Sequence, residues 1–316
     1  MKKKSISYAK WGYIFLVPFF VVYIIFALVP LVQTFYYSFM DRYVDTGAVS
    51  IFNPNGNIVD NGFCGLKNFK DVLVGENAQF TQALVNTVVI WLVGFIPQIV
   101  FSLLLAVWFT DIRLKLKAQG FFKTVIYLPN VIMASAISLL FYSLFTKGGS
   151  LDTLLNSGSD ISLLDKVWGA RGIVGFINFM MWYGNTTILL MAAIMGIDTS
   201  LYESAQIDGA NPTQTFWRIT IPLIKPILAY VLVTSMIGGL QMFDVPQFIG
   251  SDIGSPAGKL KTIVMIIQTG KDSAIGQVGA ISVLIFIISA ILGFLTLKVM
   301  NDEPGKKKKK KPAKSR

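Results

Sequence analysis

Six long stretches of this chain contain no Asp, Glu, Lys or Arg, and this pattern restricts the possible folds more than any other feature of the sequence. Each stretch is close to or above the roughly 20 residues that a helix needs to cross a bilayer. A surface helix of a soluble protein would carry polar residues along one face, and these stretches do not. They predict an all-α integral membrane protein with six transmembrane helices, at residues 11–40, 77–110, 124–146, 172–197, 226–243 and 273–297.

The composition narrows the function as well as the fold. The chain is 53% hydrophobic and 14% charged, whereas a soluble domain carries about 25% charged residues. It contains no His, and all 17 carboxylates lie outside the six apolar runs. A proton-coupled carrier usually needs an ionisable group inside the membrane, and Ser-His or Cys-His nucleophiles need a histidine. These absences argue against proton coupling, a metal site and a membrane-bound enzyme, and the lone Cys64 can form no internal disulfide.

Lysine and arginine are unevenly distributed among the loops, which predicts the topology. They precede the first run, fill the loop between the second and third, and follow the sixth, so both termini are expected in the cytoplasm. The loop at 41–76 holds five acids against three basic residues and is expected outside. We expect a multi-pass protein of the cell membrane with a cytoplasmic N-terminus (1–10), a membrane domain (11–300) and a basic cytoplasmic tail (301–316). The basic residues concerned are Lys2, Lys3, Lys4, Lys10, Arg113, Lys115, Lys117, Lys123, Lys298, the run at 306–311, Lys314 and Arg316.

Three segments are expected on the outer face. The loop at 41–79 contains a turn cluster at 53–56 and is too short for a separate domain. The segment at 147–171 is rich in Gly and Ser and is expected to lie along the outer surface. In the segment at 244–272, an apolar stretch at 262–270 is too short to span the membrane, so it is expected to be re-entrant or interfacial.

The cytoplasmic loop at 198–226, between the fourth and fifth runs, carries the capping signals of two short helices. Ser200, with Glu203 three residues later, fits a capping box at the start of the first helix. Gly209 suits the end of that helix, because glycine readily adopts the left-handed conformation found there.

The second helix of this loop has similar signals. Asn211 is a good N-cap, Pro212 fits the first turn, and Gln214 stands three residues after the cap. The helix is expected to end near Ile221, because Pro222 disfavours helical geometry in the residue before it. The result is a helical knob that presents Leu201, Tyr202, Ala205 and Ile207 beside Glu203 and Asp208. From spacing alone, such a knob could dock a partner or could simply fold the loop.

The same loop resembles the EAA loop of permeases from ATP-binding-cassette (ABC) importers. The matching residues are Glu203, Ser204 and Ala205, then Gly209 after three residues, then Ile219, Ile221 and Pro222 after nine more. The string YESAQIDGA, from Tyr202 to Ala210, is similar to the version in the maltose-type carbohydrate uptake branch. Ser204, where the family usually has Ala, and Ile221, where it usually has Leu, are mild departures.

Other pieces of that branch occur in the same order, so the resemblance covers nearly the whole chain. Residues 65–69 (GLKNF) resemble an outer-loop element, and 86–87 (NT) stand where the branch often has Asn-Thr at the start of the second helix. Residues 122–129 (FKTVIYLP) resemble the start of the third helix and 241–244 (QMFD) the end of the fifth. The Thr-x-Gly-Gly-Pro element that usually follows is only approximated, by 254–256 (GSP).

The resemblance implies the type I ABC-importer permease fold and a set of partners. The knob would be a coupling helix seated in a cleft of an ABC ATPase dimer. The chain would also work with a second homologous permease, an extracytoplasmic sugar-binding protein and the lipid bilayer, without nucleic acid. It has no P-loop, so ATP and Mg²⁺ are expected on the ATPase, and this chain is expected to bind no cofactor and to be no enzyme. The residues implied in coupling are Leu201, Tyr202, Glu203, Ser204, Ala205, Asp208, Gly209, Ala210 and Pro222.

Candidate substrate residues are the neutral polar and aromatic side chains inside the apolar runs, because uncharged sugars are held by aromatic faces and by neutral donors and acceptors. They include Tyr142, Asn178, Trp182, Tyr183, Asn185, Thr234, Gln241 and Phe243. In the maltose-type branch, sugar contacts come from the middle of the helices on either side of the EAA loop. Taken together, these arguments predict a substrate site at Tyr142, Met181, Trp182, Asn185, Thr234, Gly238 and Gln241. Helix–helix packing is the alternative role for each.

The expected function is inward translocation of a sugar or oligosaccharide by alternating access, driven by ATP hydrolysis on a separate subunit. Two alternatives stay open at this point: a permease for glycerol phosphate or another polar solute, and a secondary carrier. An anionic substrate would be expected to need Arg or Lys near its site, and the six runs contain neither.

Overall fold

The computed structural model describes residues 9–45, 57–75, 79–111, 118–155, 161–250, 258–270 and 274–301. The chain divides into two compact units, residues 1–81 with 266–286 and residues 82–265 with 287–316. Several features singled out in the sequence lie outside the described residues: the lysines at 2–4, the turn cluster at 53–56, the basic residues at 113–117, the GSP sequence at 254–256 and the tail from 302 onward.

The described chain is mainly helical. Its α-helices are α1 (Ala9–Tyr23), α2 (Val29–Ser38), α3 (Lys67–Val74), α4 (Phe80–Thr110), α5 (Gln119–Val131), α6 (Ala134–Phe145), α7 (Ser150–Leu155), α8 (Val167–Met195), α9 (Thr199–Ile207), α10 (Pro212–Thr215), α11 (Ile221–Leu240), α12 (Asp244–Ile249), α13 (Ile263–Gly270) and α14 (Ile275–Asn301). Two strands, β1 (Met40–Asp45) and β2 (Asn57–Phe63), follow α2. The π-helical turns Ile24–Leu28 and Phe216–Thr220 join α1 to α2 and α10 to α11, and Leu163–Asp165 form a 3₁₀ turn.

Within the described part of the chain, five helical stretches are long and apolar enough to cross a membrane: Trp11–Ser38, Phe80–Thr110, Val167–Met195, Pro212–Leu240 and Ile275–Lys298. The third predicted span is not one straight helix but the pair α5 and α6, bent by 86°. The bend lies at Ile132 and Met133, where the backbone is extended and ends the helix α5. With this pair counted as one span, all six predicted spans are present.

In the unit formed by 1–81 and 266–286, the first span exposes nearly all of its side chains within the chain. None of its most apolar part is buried, and it is apolar on every side, as a membrane-spanning helix should be. Its π-helical turn ends one residue before Val29–Pro30, the start of α2.

The same unit contains an antiparallel hairpin that the all-α prediction missed. β1 and β2 pair in a register that places Tyr43 opposite Val59 and Val44 opposite Ile58. Aromatic and β-branched residues favour strands and stabilise each other across a ladder. The described parts of the loop at 41–79 therefore contain regular structure that the sequence did not predict.

Asn68 fixes this hairpin to the end of α2. Its side chain is 4% exposed, and its amide nitrogen donates hydrogen bonds to the carbonyls of Ser38 (3.0 Å) and Met40 (2.9 Å). The outer-loop element at 65–69 thus has a structural role within this chain.

In the unit formed by 82–265 and 287–316, α8 is the central helix and packs against α5, α6, α11 and α12. α5 approaches α8 closely at Gly184, where a Cβ would collide with the carbonyl oxygen of Ile126. The amide of Asn130 donates to the carbonyl of Met181 at 3.1 Å and ties the same two helices together. Two clusters of buried apolar residues, one along each half of α8, complete the core.

The fourth span begins earlier than predicted. The segment at 147–171, expected to lie along the outer surface, includes α7, the 3₁₀ turn and the start of α8. Asp152, 7% exposed, accepts a hydrogen bond from the backbone N–H of Leu163 at 2.9 Å, so this connection folds onto itself. Arg171 consequently lies inside α8 and is 8% exposed.

The fifth span also differs from its prediction. Pro222 does not end the second helix of the 198–226 loop, because α10, the π-helical turn and α11 form one continuous helix, Pro212–Leu240. In a regular helix the proline ring would collide with the carbonyl four residues earlier. Here Pro222 is the second residue after the π-helical turn, which contains the residue four positions earlier, Arg218, and the wider winding of that turn leaves room for the ring. The second half of the loop and the fifth span are therefore one continuous helix.

Candidate functional site

A cavity of about 570 Å³ lies in the middle of the second unit, between α4, α8 and α11, and we name it the α8 cavity. Each helix contributes one face, since the lining residues recur every three or four positions. Its lining residues are Trp91, Gly94, Phe95, Gln98, Ala134, Asn178, Met181, Trp182, Asn185, Thr186, Leu189, Tyr230, Val231, Thr234, Ser235, Gly238, Gly239, Gln241, Met242, Phe243, Asp244 and Val245.

Six of the seven predicted substrate residues line this one cavity. Met181, Trp182 and Asn185 come from α8, and Thr234, Gly238 and Gln241 come from α11 and the residue after it. Asn178 and Phe243, from the wider set of candidates, line it as well. The sequence placed these residues by counting along two helices, and the structure brings the two helices together.

Tyr142 does not belong to the α8 cavity. It lies on α6, where it packs against a buried apolar cluster that includes Ile137 and Ile177. Tyr183 faces away too, and its ring stacks on Phe179 at 5.3 Å. In this structure both aromatic side chains make packing contacts.

The polar groups of the cavity fall into two sets. One set is used within the protein: the Gln98 amide donates to Thr186 Oγ1 at 2.8 Å, and the Trp91 indole donates to Ser235 Oγ at 3.1 Å. The other set is available, because the amides of Asn185 and Gln241 make no hydrogen bond in the described part of the chain. Both side chains are exposed within this chain, so they are open to hydrogen bonding with a ligand, with water or with another subunit.

Sequence reasoning missed the contribution of α4. Trp91 stacks on Phe95 with ring centres 5.1 Å apart, and a Cβ on Gly239 would collide with the Trp91 indole. Only glycine therefore lets α11 approach this wall. The spacing of Trp91, Phe95 and Gln98 along one helical face was the available signal.

The charge of the cavity lining is distinctive. Asp244, at the start of α12, is the charged residue among the described residues that line it, and no Lys or Arg accompanies it. A site with a carboxylate and neutral polar groups suits an uncharged ligand better than an anion.

The EAA-like loop, residues 198–226, is the second candidate site. Its first helix, α9, is capped by Asp198, whose carboxylate accepts a hydrogen bond from the backbone N–H of Ser200 at 2.9 Å. This bond lowers the pKa of Asp198 below its ordinary value. The predicted capping box of Ser200 and Glu203 is therefore wrong, because the competing cap two residues earlier begins the helix. Glu203 lies exposed on the second turn of α9.

The end of α9 matches its prediction. Gly209 has a φ of +77°, and the N–H groups of Gly209 and Ala210 donate to the carbonyls of Gln206 (3.0 Å) and Ala205 (2.9 Å). This pair of bonds is a Schellman motif, which requires the left-handed residue that glycine supplies.

The predicted cap of the next helix is also confirmed. The N–H of Gln214 donates to the Asn211 side chain at 2.8 Å, and the N–H of Asn211 donates to the Gln214 side chain at 3.0 Å. Together with Pro212 at the first position, this capping box starts the long helix that ends at Leu240.

The surface of the loop differs in part from the predicted one. Ala205 is 9% exposed and Tyr202 is half-buried, so neither forms the outer surface. The Tyr202 hydroxyl lies 3.1 Å from Thr220 Oγ1 and fastens α9 to the π-helical turn. The exposed residues of α9 and its C-terminal cap are Thr199, Ser200, Leu201, Glu203, Ser204, Gln206, Ile207, Asp208 and Gly209, with Ile207 87% exposed.

Neither site resembles a metal centre. Among the described residues, no group of three or more His, Cys, Asp and Glu side chains could hold a metal ion. The two sites share one helix, Pro212–Leu240, which begins in the EAA-like loop and supplies one wall of the α8 cavity.

Comparison with known proteins relates the chain to transport proteins. Residues 72–302 match the family described as the binding-protein-dependent transport system inner membrane component. The lactose transport system permease protein LacF of Rhizobium radiobacter is 29% identical over 291 residues, which cover 90% of this chain and 92% of that protein. The arabinooligosaccharides transport system permease protein AraP of Bacillus subtilis is 28% identical over 302 residues, covering 93% of this chain and 89% of that protein.

Two solved structures have a similar fold. One is a bacterial ABC transporter involved in the import of the acidic polysaccharide alginate: TM-score 0.69 and 20% identity, over 92% of this chain and 94% of that chain. The other is a bacterial alginate ABC transporter in complex with an alginate pentasaccharide-bound periplasmic protein: TM-score 0.70 and 21% identity, with the same coverage. At this identity the likeness concerns the fold alone.

Proposed function

Because the chain belongs to the family of binding-protein-dependent transport system inner membrane components, we propose that it is the permease subunit of an ABC importer that carries a neutral sugar or oligosaccharide into the cell. The type I importer fold expected from the sequence is confirmed by the family match and by the similar transporter structures. The relatives are permeases named for lactose and for arabinooligosaccharides, which supports a carbohydrate substrate.

One observation carries the proposed substrate site: the amides of Asn185 and Gln241 line one cavity together with the ring of Trp182 and have no described partner in the chain. Sugar hydroxyls both donate and accept hydrogen bonds, so they complement amides, which do the same. Aromatic rings cover the apolar faces of sugar rings. This combination suits a carbohydrate better than an apolar or an anionic ligand.

The charge of the cavity supports a neutral substrate over glycerol phosphate. Asp244 would repel a phosphate or a uronate, and no described lining residue carries a compensating positive charge. Arg171, the buried cation of α8, is not among the lining residues, and its guanidinium is bonded to protein oxygens.

The coupling mechanism that we propose uses the EAA-like loop as the contact with an ABC ATPase dimer. ATP and Mg²⁺ would bind on that dimer, and its closure would push on α9. Because Tyr202 joins α9 to Thr220 and the helix Pro212–Leu240 is continuous, this push would move the α11 wall of the cavity. Such movement would alternate access between the two sides of the membrane.

The remaining partners follow from the family. We propose a second homologous permease and an extracytoplasmic sugar-binding protein as further subunits, with both termini of this chain in the cytoplasm. The similar alginate transporter is in complex with a periplasmic binding protein, which supports the latter.

The test is uptake into proteoliposomes by the complex purified through this chain, with a binding protein encoded by a neighbouring gene supplied outside. We expect ATP-dependent uptake of neutral oligosaccharides, and little uptake of glycerol phosphate or uronates. Preferential uptake of an anion would overturn the neutral-substrate proposal. Equal uptake without ATP would favour a secondary carrier.

A further inference from the structure

Arg171 is a buried cation whose position the transport proposal leaves unexplained. It is 8% exposed, and the ion pairs of the described chain involve other residues. Its Nε donates to the Lys259 carbonyl at 3.3 Å, its Nη2 donates to Asn86 Oδ1 at 2.6 Å, and its guanidinium carbon lies 5.3 Å from the Trp168 ring centre. Burying a charge without an opposite charge is costly, so stability alone does not account for an arginine here.

Asn86 connects Arg171 to another part of the chain, the segment at 258–261. It is 1% exposed, and while its side-chain oxygen accepts from Arg171, its nitrogen donates to the carbonyls of Gly258 (3.0 Å) and Lys261 (3.1 Å). The segment at 258–261 is thus held by α4 and by α8 at the same time.

The next residues connect this segment to the α8 cavity. Thr262, fully buried, donates from its hydroxyl to the carbonyl of Met242 at 2.8 Å. The N–H of Ile263 donates to Thr87 Oγ1 at 3.2 Å, which fixes the same segment to α4 a second time.

The series of hydrogen bonds from Arg171 through Asn86 and Thr262 ends at Met242, which lines the α8 cavity. We call this series the path. The Met242 sulfur accepts from the Asn178 amide at 3.6 Å, so α8 holds it from the other side. The residues on either side of it, Gln241 and Phe243, are cavity residues too. A shift of the 258–262 segment would therefore move the cavity wall.

We propose that Arg171 is a positioning residue for substrate binding: through Asn86, the 258–261 segment and Thr262, it sets the position of the cavity wall at Gln241–Phe243. It does so without touching the substrate. This inference rests on the proposed function, because it assumes that the α8 cavity is the substrate site.

The test compares Arg171→Met with Thr262→Val, which interrupts the same path at its other end and changes the shape of the side chain little. For each variant complex, we would measure uptake rate against substrate concentration and hydrogen–deuterium exchange of the peptides at 241–246 and 258–265. We expect both variants to raise the half-saturating sugar concentration about tenfold, with a maximal rate within about twofold of wild type, since residues along a coupling path change affinity on this scale. Exchange at 241–246 should rise in both.

Two further variants check that the path acts as a unit. The double variant should be no worse than the more severe single variant, because both changes interrupt one path. Arg171→Lys, which keeps the charge but not the forked geometry, should be intermediate. The matched control is Thr187→Val: Thr187 is 1% exposed on the same helix and bonds the carbonyl of Tyr183 of that helix, so it should leave the half-saturating concentration unchanged.

If the Arg171→Met complex fails to assemble, the Thr262→Val complex alone tests whether the path positions the cavity wall. An unchanged half-saturating concentration and unchanged exchange at 241–246 in Thr262→Val would overturn the inference. If the wild-type complex imports no sugar, the proposed function fails, and the exchange measurement still shows whether the path exists.

Discussion

The EAA-like loop and the α8 cavity use their polar side chains in opposite ways. In the loop, the side chains of Asp198, Asn211 and Gln214 bond the chain's own backbone, so they shape the loop. In the cavity, Asn185 and Gln241 make no such bonds in the described chain. The difference supports the two proposed roles: the polar side chains of the loop stabilise its own fold, whereas the cavity leaves hydrogen-bonding groups open to a ligand.

The largest expected effect comes from disrupting the Schellman motif that ends α9 in the EAA-like loop. Gly209→Val should abolish coupled ATP hydrolysis, because Gly209 has a φ of +77° and an ordinary residue in that conformation costs about 1–2 kcal/mol, a β-branched one more. The measurement is the yield and sugar-stimulated ATPase activity of the purified complex.

The control for this variant is Gly293→Val. Gly293 lies inside α14, where a Cβ would meet nothing within 4 Å, so this complex should keep its ATPase activity. A fully active Gly209→Val complex would show that the Schellman motif does not shape the contact with the ATPase.

The second prediction distinguishes a residue on the exposed surface of the EAA-like loop from a residue that stabilises its helix α9. Because Asp198 and not Glu203 caps α9, Glu203→Ala should leave α9 intact yet lower sugar-stimulated ATPase activity about tenfold, the scale of a lost interfacial charge contact. Asp198→Ala should instead loosen α9, since it removes the side chain that accepts the hydrogen bond from the Ser200 N–H at the start of the helix. Hydrogen–deuterium exchange of residues 199–207 measures this difference.

Glu203→Ala should therefore lower ATPase activity without raising exchange in α9, whereas Asp198→Ala should raise that exchange. Raised exchange in Glu203→Ala would mean that this side chain supports the helix after all. Because hydrogen bonding lowers the pKa of Asp198, the stability that its cap contributes is complete above the ordinary Asp pKa. This stability is lost only as the pH falls through the lowered pKa. The difference in hydrogen–deuterium exchange between the two variants should therefore be constant near neutral pH.

The parts of the EAA-like loop that were predictable from sequence are those whose hydrogen-bond partners lie close together along the chain. The conformation of Gly209 and the Asn211–Gln214 capping box were predicted correctly because the hydrogen-bond partners involved lie within five residues of one another. Ser200 was assigned as the cap because the Glu three residues later matched the pattern. Asp198 competed for the same role from two residues away, and nothing in the pattern ranked the two.

Contacts between distant segments were less predictable. The apolar runs gave six spans, but hydropathy does not reveal the extended backbone at Ile132 and Met133 that bends the third. Arg171 was placed outside the membrane because it is charged. It bonds Asn86, 85 residues away, and the backbone carbonyl of Lys259 beyond the fifth span, and no local sequence pattern contains these partners.

The third prediction concerns the free amides of the cavity. Asn185→Leu and Gln241→Leu should each raise the half-saturating sugar concentration about fivefold, the scale of one lost hydrogen bond, without lowering the yield of the complex. Gln98→Leu is the matched control, because its amide is already bonded to Thr186 inside the protein at 2.8 Å. That variant should lower the yield and leave affinity per complex unchanged. The reverse pattern would mean that the two free amides hold subunits or helices together.

The smallest expected effect lies at the connection between the two regions. Tyr202→Phe removes one hydroxyl, whose bond to Thr220 joins α9 to the helix that forms the cavity wall. A hydrogen bond contributes about 0.5–1.5 kcal/mol, and this one is only partly buried. We therefore expect the low end of that range, a fall of about twofold in sugar-stimulated ATPase activity, while basal ATPase activity and complex yield stay the same.

The partner variant Thr220→Val tests whether the bond itself matters. If the Tyr202–Thr220 contact transmits movement between the ATPase and the cavity, Thr220→Val should reproduce the loss, and the double variant should be no worse than either single variant. Additive losses would show that each residue acts through other neighbours. The continuous helix Pro212–Leu240 would then be the connection between the EAA-like loop and the α8 cavity, without help from the Tyr202 hydroxyl.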